Sequence, residues 1–209
     1  MKLAVFDRMV ECTEVEVQRM LPLVSAQRRE QALRYKHTFG QFCCLKSWLM
    51  LKELMNEGMK ELTNEGMKEL MNEWTYNEHG KPSFTHSLNH SFTPYFSISH
   101  CKEGIAVAVD DQPIGIDIES IRRVDKDLIE RTMNAEEQAQ IAEAAEPARA
   151  FTRLWTQKEA VVKAQGTGIE SFEQLQNIRV QNTEYRVQSF ETEKYIYSIA
   201  YGELFGIRP

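Results

Sequence analysis

Apolar residues recur at two different periods along this chain, and the switches between them mark its elements. Residues 2–6 form a short apolar run that predicts a strand. A helical period follows over 15–23, with Pro22 near its end. Ser25 stands where it can cap a second helix, expected to run through Arg28 to Lys36. Gly40 is expected to separate it from a third helix, in which Phe42, Leu45, Leu49 and Lys52 mark one side and Trp48 and Leu51 widen the stripe. Gly80-Lys81-Pro82 reads as a turn. Period 2 then takes over: Phe96, Ile98 and His100 alternate with Ser97 and Ser99. This predicts a strand over 95–100, a second over 105–110 after Gly104, and a third over 114–119 after the turn at Asp111-Gln112-Pro113, together an antiparallel meander. Asn134 with Glu137 three residues on is a helix-start signature. A longer helix covers 148–165 and stops at Gly166. Alternation returns at 179–190 and 195–201 as a closing hairpin. Strands followed by helices, twice, predict an α+β chain of two halves, assigned to residues 1–105 and 106–209.

An eight-residue repeat interrupts this pattern. Asn56-Glu57-Gly58-Met59-Lys60-Glu61-Leu62-Thr63 is followed by Asn64-Glu65-Gly66-Met67-Lys68-Glu69-Leu70-Met71. Eight residues turn a helix through about 800°, so the copies sit about 80° out of phase and cannot extend one apolar stripe. Gly58 and Gly66 each weaken a helix further. The segment 56–73 reads as a tandem duplication in a surface connection; a binding element is the alternative.

Composition narrows the class. The 209 residues are 42% hydrophobic and 27% charged, enough for a substantial core and unlike a disordered chain. No run approaches the roughly 18 apolar residues that cross a bilayer, so no membrane role is expected. Asp7 and Arg8 interrupt the N-terminal apolar run too early for a signal peptide, which predicts a cytoplasmic protein. Net charge is −6, against general nucleic-acid binding. The repeat segment contributes a large part of that charge, so the remainder is only mildly acidic. Cys12, Cys43, Cys44 and Cys101 form no Cys-x-x-Cys, which fits free thiols in a reducing compartment.

Candidate chemistry gathers in the second half. Asp117 and Glu119 are two apart on one strand and share a face. They read either as a solvated strand face or as a site for a divalent cation such as Mg2+. Glu159 and Lys163 are i and i+4 on the long helix, with Trp155 one turn earlier on the same side. They are either a helix ion pair or parts of a metal–phosphate site, in which Glu159 ligates metal or takes a proton and Lys163 holds a phosphate. Ser99 and His100, as strand neighbours, point to opposite faces, so they do not form a serine–base couple; His100 reads as a phosphate donor. His86, His90, His100 and Cys101 match no standard zinc spacing, and no Walker loop or G-x-G-x-x-G is present. Arg28, Arg29, Arg34 and Lys36 are either a solvated helix face or an anion clamp.

Gly115-Ile116-Asp117-Ile118-Glu119, followed further on by Trp155-Thr156-Gln157-Lys158-Glu159-Ala160-Val161-Val162-Lys163, resembles the 4'-phosphopantetheinyl transferases of the two-halved, surfactin-synthetase-activating type. Phe96-Ser97-Ile98-Ser99-His100, Gly80-Lys81-Pro82 and the basic helix from Arg28 extend the likeness over about residues 25–169. The resemblance implies transfer of the 4'-phosphopantetheine arm of coenzyme A to a serine of an acyl or peptidyl carrier protein, with release of adenosine 3',5'-bisphosphate. It implies Mg2+ on Asp117, Glu119 and Glu159. It puts His100, Lys163 and Arg28 at the phosphates, and Ser99 and Lys81 near the nucleotide. Glu159, Lys163 and His100 are the implied catalytic set. The implied fold is two similar α+β halves about a pseudo-twofold axis, with the coenzyme in the cleft between them, and the implied state is a monomer. Gln31 departs from the family where a second basic residue is frequent, and Cys43 and Cys44 replace polar residues. Arg122, Arg123 and Lys126 are the expected contact for an acidic carrier helix; an exposed basic loop is the alternative. A non-catalytic coenzyme A or carrier-binding module and a Mg2+-dependent hydrolase of nucleotide-like diphosphates are the competing functions.

Deleting residues 64–71 should leave fold and activity nearly intact, since shortening a connection by that much changes closure entropy by well under about 1 kcal/mol. Thermal denaturation checks it: a melting temperature lowered by more than about 10 °C would place both copies in the core.

Overall fold

The computed structural model describes residues 1–58, 74–84, 94–169 and 171–202. Most of the repeat segment, residues 59–73, lies outside them, as do His86 and His90. The chain opens with β1 (Lys2–Phe6), then α1 (Glu14–Met20), α2 (Ala26–Leu33) and α3 (Thr38–Gly58). A small hairpin, β2 (Trp74–Tyr76) and β3 (Pro82–Phe84), precedes β4 (Tyr95–Cys101) and β5 (Gly104–Asp110). Next come β6 (Ile114–Ser120), α4 (Lys126–Thr132), α5 (Ala135–Glu143), α6 (Pro147–Gln165), α7 (Phe172–Asn177), β7 (Tyr185–Glu191) and β8 (Tyr195–Gly202). The protein is therefore α+β. No helix among the described residues is long and apolar enough to cross a membrane.

Local chemistry explains most boundaries. Ser25 Oγ accepts from the Arg28 amide, as a cap should. Asn134 and Glu137 exchange both capping-box bonds: Asn134 N donates to Glu137 Oε2 at 2.8 Å and Asn134 Oδ1 accepts from Glu137 N at 3.1 Å. Gly166 ends α6 with φ +77°, the left-handed conformation that favours glycine. Several boundaries differ from the periodicity: α1 ends at Met20, before a 3-10 turn over Leu21–Leu23, and β7 begins only at Tyr185, after a 3-10 turn at Val180–Asn182. α2 stops at Leu33, because Arg34 N and Tyr35 N bond back three residues, to Gln31 O and Ala32 O, and tighten the last turn. Gly40 is not a break. It lies in the first turn of α3, against the Tyr35 ring, where a Cβ would come within 2.7 Å of Cδ1.

The expected meander is also corrected. β4 and β5 do form an antiparallel hairpin, but the other edge of β5 is taken by β1, giving the order β1-β5-β4. With no free edge on β5, the chain turns at residues 111–113 and β6 begins a second antiparallel sheet, order β6-β8-β7. Both sheets share one connectivity: a strand, a set of helices, then a hairpin whose last strand pairs with the first.

Alternation along β5 divides the core. Ile105, Val107 and Val109 face α1–α3 and pack with Phe42, Leu45, Trp48 and Leu51. Ala106 and Ala108 face the other way and pack with Ile114, Ile116 and Ile118 of β6. The opposite face of β6 meets α6 at unusually short range. A Cβ at Gly115 would lie 1.9 Å from Ala160 O and 2.4 Å from Ala164 N, so only glycine lets helix and strand backbones touch there. Gly115→Ala should cost at least about 1–3 kcal/mol of overpacking strain. Chemical denaturation checks this, and an unchanged midpoint would mean that helix and strand separate freely.

Candidate active site

Where β4 and β6 run side by side, side-chain hydroxyls join the two sheets in place of main-chain carbonyls. Ile116 N donates to Ser97 Oγ at 3.0 Å, and Ile118 N to Ser99 Oγ at 3.3 Å. Ser99 Oγ in turn donates to Asp117 Oδ1 at 2.8 Å. Lys163, reaching across from α6, places Nζ 2.6 Å from the same carboxylate oxygen and 3.1 Å from Ser99 Oγ. Three elements thus meet on Asp117, which is only 3% exposed.

Glu119 and Glu159 complete a cluster of negative charge. Burial first, and repulsion from Asp117 second, raise both carboxyls to about 7; Lys163 pulls both back down. Burial also opposes the charge on Lys163, but Asp117 and Glu159 outweigh it and its pKa is raised. Lys163 is thus a counter-charge shared by three carboxylates, and Arg122 adds a second one beside Glu119. Asp117 Oδ2 is buried with no hydrogen-bond partner. An orphaned carboxylate oxygen and two carboxyls held near 7 fit a hard cation with oxygen ligands. As the side chains stand, however, no three His, Cys, Asp or Glu among the described residues converge on one metal-sized point. The Lys163 ammonium holds Asp117 Oδ1 instead.

Beside this cluster lies a cleft of about 270 Å3, whose lining includes Glu159, Lys163, Lys81 and Ile98 but not Asp117 or Glu119. His100 is on the strand face opposite to Ser99, at the surface, with its ring edge-on to Phe39 at 5.9 Å. Desolvation, then Lys163, lowers its pKa. Lys81 Nζ donates to Ala164 O at 3.0 Å and Ile114 O at 3.4 Å, and burial lowers its pKa to about 8. The structure thus brings Ser99, Asp117, Glu119, Glu159 and Lys163 together, with His100 and Lys81 at the margins.

Arg28 lies in a different setting. It is 5% exposed, with its guanidinium carbon 3.8 Å from the Trp48 ring centre and 4.7 Å from that of Trp74. Nη1 donates to Gln31 Oε1 at 2.6 Å and contacts Cys44 Sγ at 3.5 Å, while Nε is buried without a partner. Gln31 and Cys44, two departures noted in the sequence, are thus neighbours of Arg28. Cys43 is a core thiol, pushed up to about 12 chiefly by burial. The other basic residues of α2 and its end turn elsewhere: Arg29 to Leu21 O and Arg34 to Glu30. Arg122 and Arg123 border a second cleft of about 240 Å3, with Glu119, Val124, Phe151 and Trp155.

Two structural contributors escaped the sequence reading. Lys158 is 1% exposed, with Nζ 2.6 Å from Glu137 Oε2, 2.7 Å from Leu175 O and 3.3 Å from Thr132 O. It ties α4, α5 and α7 to α6; its signal was a lysine in phase with Phe151 and Val162 on an apolar stripe. The other is Asn77, whose Nδ2 donates to Gly166 O at 2.7 Å. No periodicity marks a turn residue that acts on a helix so far along the chain.

The carboxylate cluster gives a pH prediction. Glu119 and Glu159 bind protons more tightly in the fold than at the ordinary 4.5, so they cost the native state stability as pH rises from 4.5 through about 7. Without divalent cations, Glu119→Gln should gain melting temperature relative to the parent across that window and run parallel above it. A difference independent of pH would remove the mutual repulsion.

Residues 113–203 match the family model of the 4'-phosphopantetheinyl transferase superfamily. The chain is 33% identical over 156 residues to 4'-phosphopantetheinyl transferase psf-1 of Bacillus pumilus, covering 74% of this chain and 63% of that protein. It is 24% identical over 159 residues to 4'-phosphopantetheinyl transferase Sfp of Bacillus subtilis (strain 168), covering 75% and 66%. It is 40% identical over 98 residues to 4'-phosphopantetheinyl transferase AcpT of Salmonella typhi, covering 44% and 48%. The chain thus spans less than two thirds of the length of these curated relatives. The matched segment contains β6, α6 and the whole carboxylate–lysine cluster, and over residues 113–203 the chain is similar to the 4'-phosphopantetheinyl transferase superfamily.

Proposed function

We propose that the protein transfers the 4'-phosphopantetheine arm of coenzyme A to a serine of an acyl or peptidyl carrier protein. The observation that carries this reading is the junction of Asp117, Glu119, Glu159 and Lys163 beside a cleft, within the segment shared with the superfamily. Asp117, Glu119 and Glu159 would hold a divalent cation, Mg2+ by the all-oxygen character of the set. When bound, such an ion supplies positive charge to the pyrophosphate oxygens.

The chain's own groups do the rest. The carrier serine hydroxyl attacks the phosphorus that bears the pantetheine arm. The bond from that phosphorus to the bridging oxygen breaks, and adenosine 3',5'-bisphosphate leaves with the electron pair. Glu159 is the proposed acceptor of the serine proton; with no cation bound, burial and the neighbouring Asp117 raise its carboxyl to about 7. Lys163 and His100 donate to phosphoryl oxygens as charge shifts to the leaving group. Ser99 fixes the Asp117 carboxylate. For the 3'-phosphate the candidate is Arg28, a cation enclosed by Trp48 and Trp74 whose Nε is buried and has no partner.

The repeated connectivity of the two sheets supports a pseudo-twofold pair of halves; because β5 (Gly104–Asp110) pairs with β1 and β4, the proposed boundary lies at residues 111–113 instead of the expected 105/106. One chain then forms the cleft by itself, as a monomer. Arg122 and Arg123, beside the second cleft, are the proposed contact for an acidic carrier helix.

Mass spectrometry of an apo-carrier protein mixed with coenzyme A, Mg2+ and enzyme tests the proposal. A pantetheine-sized mass gain is expected. Cleavage of coenzyme A without that gain would make the protein a hydrolase, and binding without cleavage a coenzyme-binding module. Glu159→Gln should fold normally and lose about a hundredfold to ten-thousandfold in transfer rate.

A further inference from the structure

The tip of the β2–β3 hairpin reaches the far side of the candidate site. Asn77 Oδ1 accepts from the amides of His79 at 3.0 Å and Lys81 at 2.8 Å, which folds the tip on itself. The same side chain then donates through Nδ2 to Gly166 O at 2.7 Å. Lys81 Nζ donates to Ala164 O and Ile114 O. Ala164 and Gly166 belong to the end of α6, whose last carbonyls have no partner within the helix. Ile114 O belongs to the first residue of β6. Two side chains of one hairpin thus engage both elements that carry the carboxylate cluster, beside Gly115, where their backbones touch.

We propose that Asn77 and Lys81 are positioning residues: acting through main-chain carbonyls, they hold the end of α6 on β6 and so set Glu159 and Lys163 against Asp117. Neither residue needs to touch a ligand for this. For Lys81 the role differs from the nucleotide contact implied by the family resemblance. A lysine at a helix C-terminus also offsets the negative end of the helix dipole. Lys81 has that location, and its ammonium donates to carbonyls of α6 and β6. Lys163 is one residue before Ala164, so a fraying last turn moves the ammonium that Asp117 holds.

The inference rests on the transferase reading, and the test separates the two. Asn77→Asp keeps the acceptors that fold the hairpin tip but loses the donor to Gly166. Lys81→Met keeps the aliphatic stem and loses the donor to Ala164 and Ile114. Two readouts are taken on each variant: steady-state transfer to an apo-carrier protein, and hydrogen exchange of the Gly166 amide, which bonds Val162 O at 2.8 Å in the parent. Both variants should lower kcat by about tenfold to a hundredfold, as small misplacements of catalytic groups do, with KM for coenzyme A nearly unchanged and faster Gly166 exchange. A raised KM with unchanged kcat would make Lys81 a ligand contact and overturn the proposal. Parent-like exchange at Gly166 would also overturn it. If the parent protein itself fails to transfer, the exchange comparison still decides whether the hairpin holds the helix.

Discussion

A helix lying directly on a strand, backbone against backbone, is the constraint on which the rest of this structure depends. Gly115 allows it, because any Cβ there would occupy the place of Ala160 O. The close approach brings α6 near enough to β6 for Lys163 to reach Asp117 at 2.6 Å and for Glu159 to share the field of Asp117 and Glu119. A wider spacing, set by ordinary side chains, would put solvent between these charges and screen them.

The resulting site opposes stability. Three carboxylates face Lys163, with Arg122 beside Glu119; two of the carboxyls are held near 7 and the third carries an unpartnered buried oxygen. Such a cluster persists because its surroundings are over-determined. Hydroxyls of Ser97 and Ser99 stitch β4 to β6, Lys158 locks α6 to the helices before and after it, and Asn77 and Lys81 engage its far end. Together these contacts leave the charged groups little room to relax apart.

How much of this was legible in the sequence follows from which interactions are local. The alternation over 95–100 and 114–119, the Asn134–Glu137 box and the glycine stop after Gln165 all depend on neighbours within a few residues, and each has its counterpart in the fold. The face shared by Asp117 and Glu119 follows from strand period, and that of Glu159 and Lys163 from helix period. The partner of β6 could not be read this way, because β1 and β8 lie far along the chain from the strands they pair with. The short helix α7 is too brief to show a period. The enclosure of Arg28 between Trp48 and Trp74 is a tertiary event; on α2 alone, Arg28 looks like its exposed neighbours Arg29 and Arg34.

The central claim is that β6 and α6 together form a cation-binding, phosphoryl-transfer site. The most direct test is a titration with Mn2+ in the presence of coenzyme A, followed by electron paramagnetic resonance. The account predicts saturable binding of one ion per chain, displaced by Mg2+ and abolished in Asp117→Asn. Absence of saturable binding, or binding that survives Asp117→Asn unchanged, would contradict it.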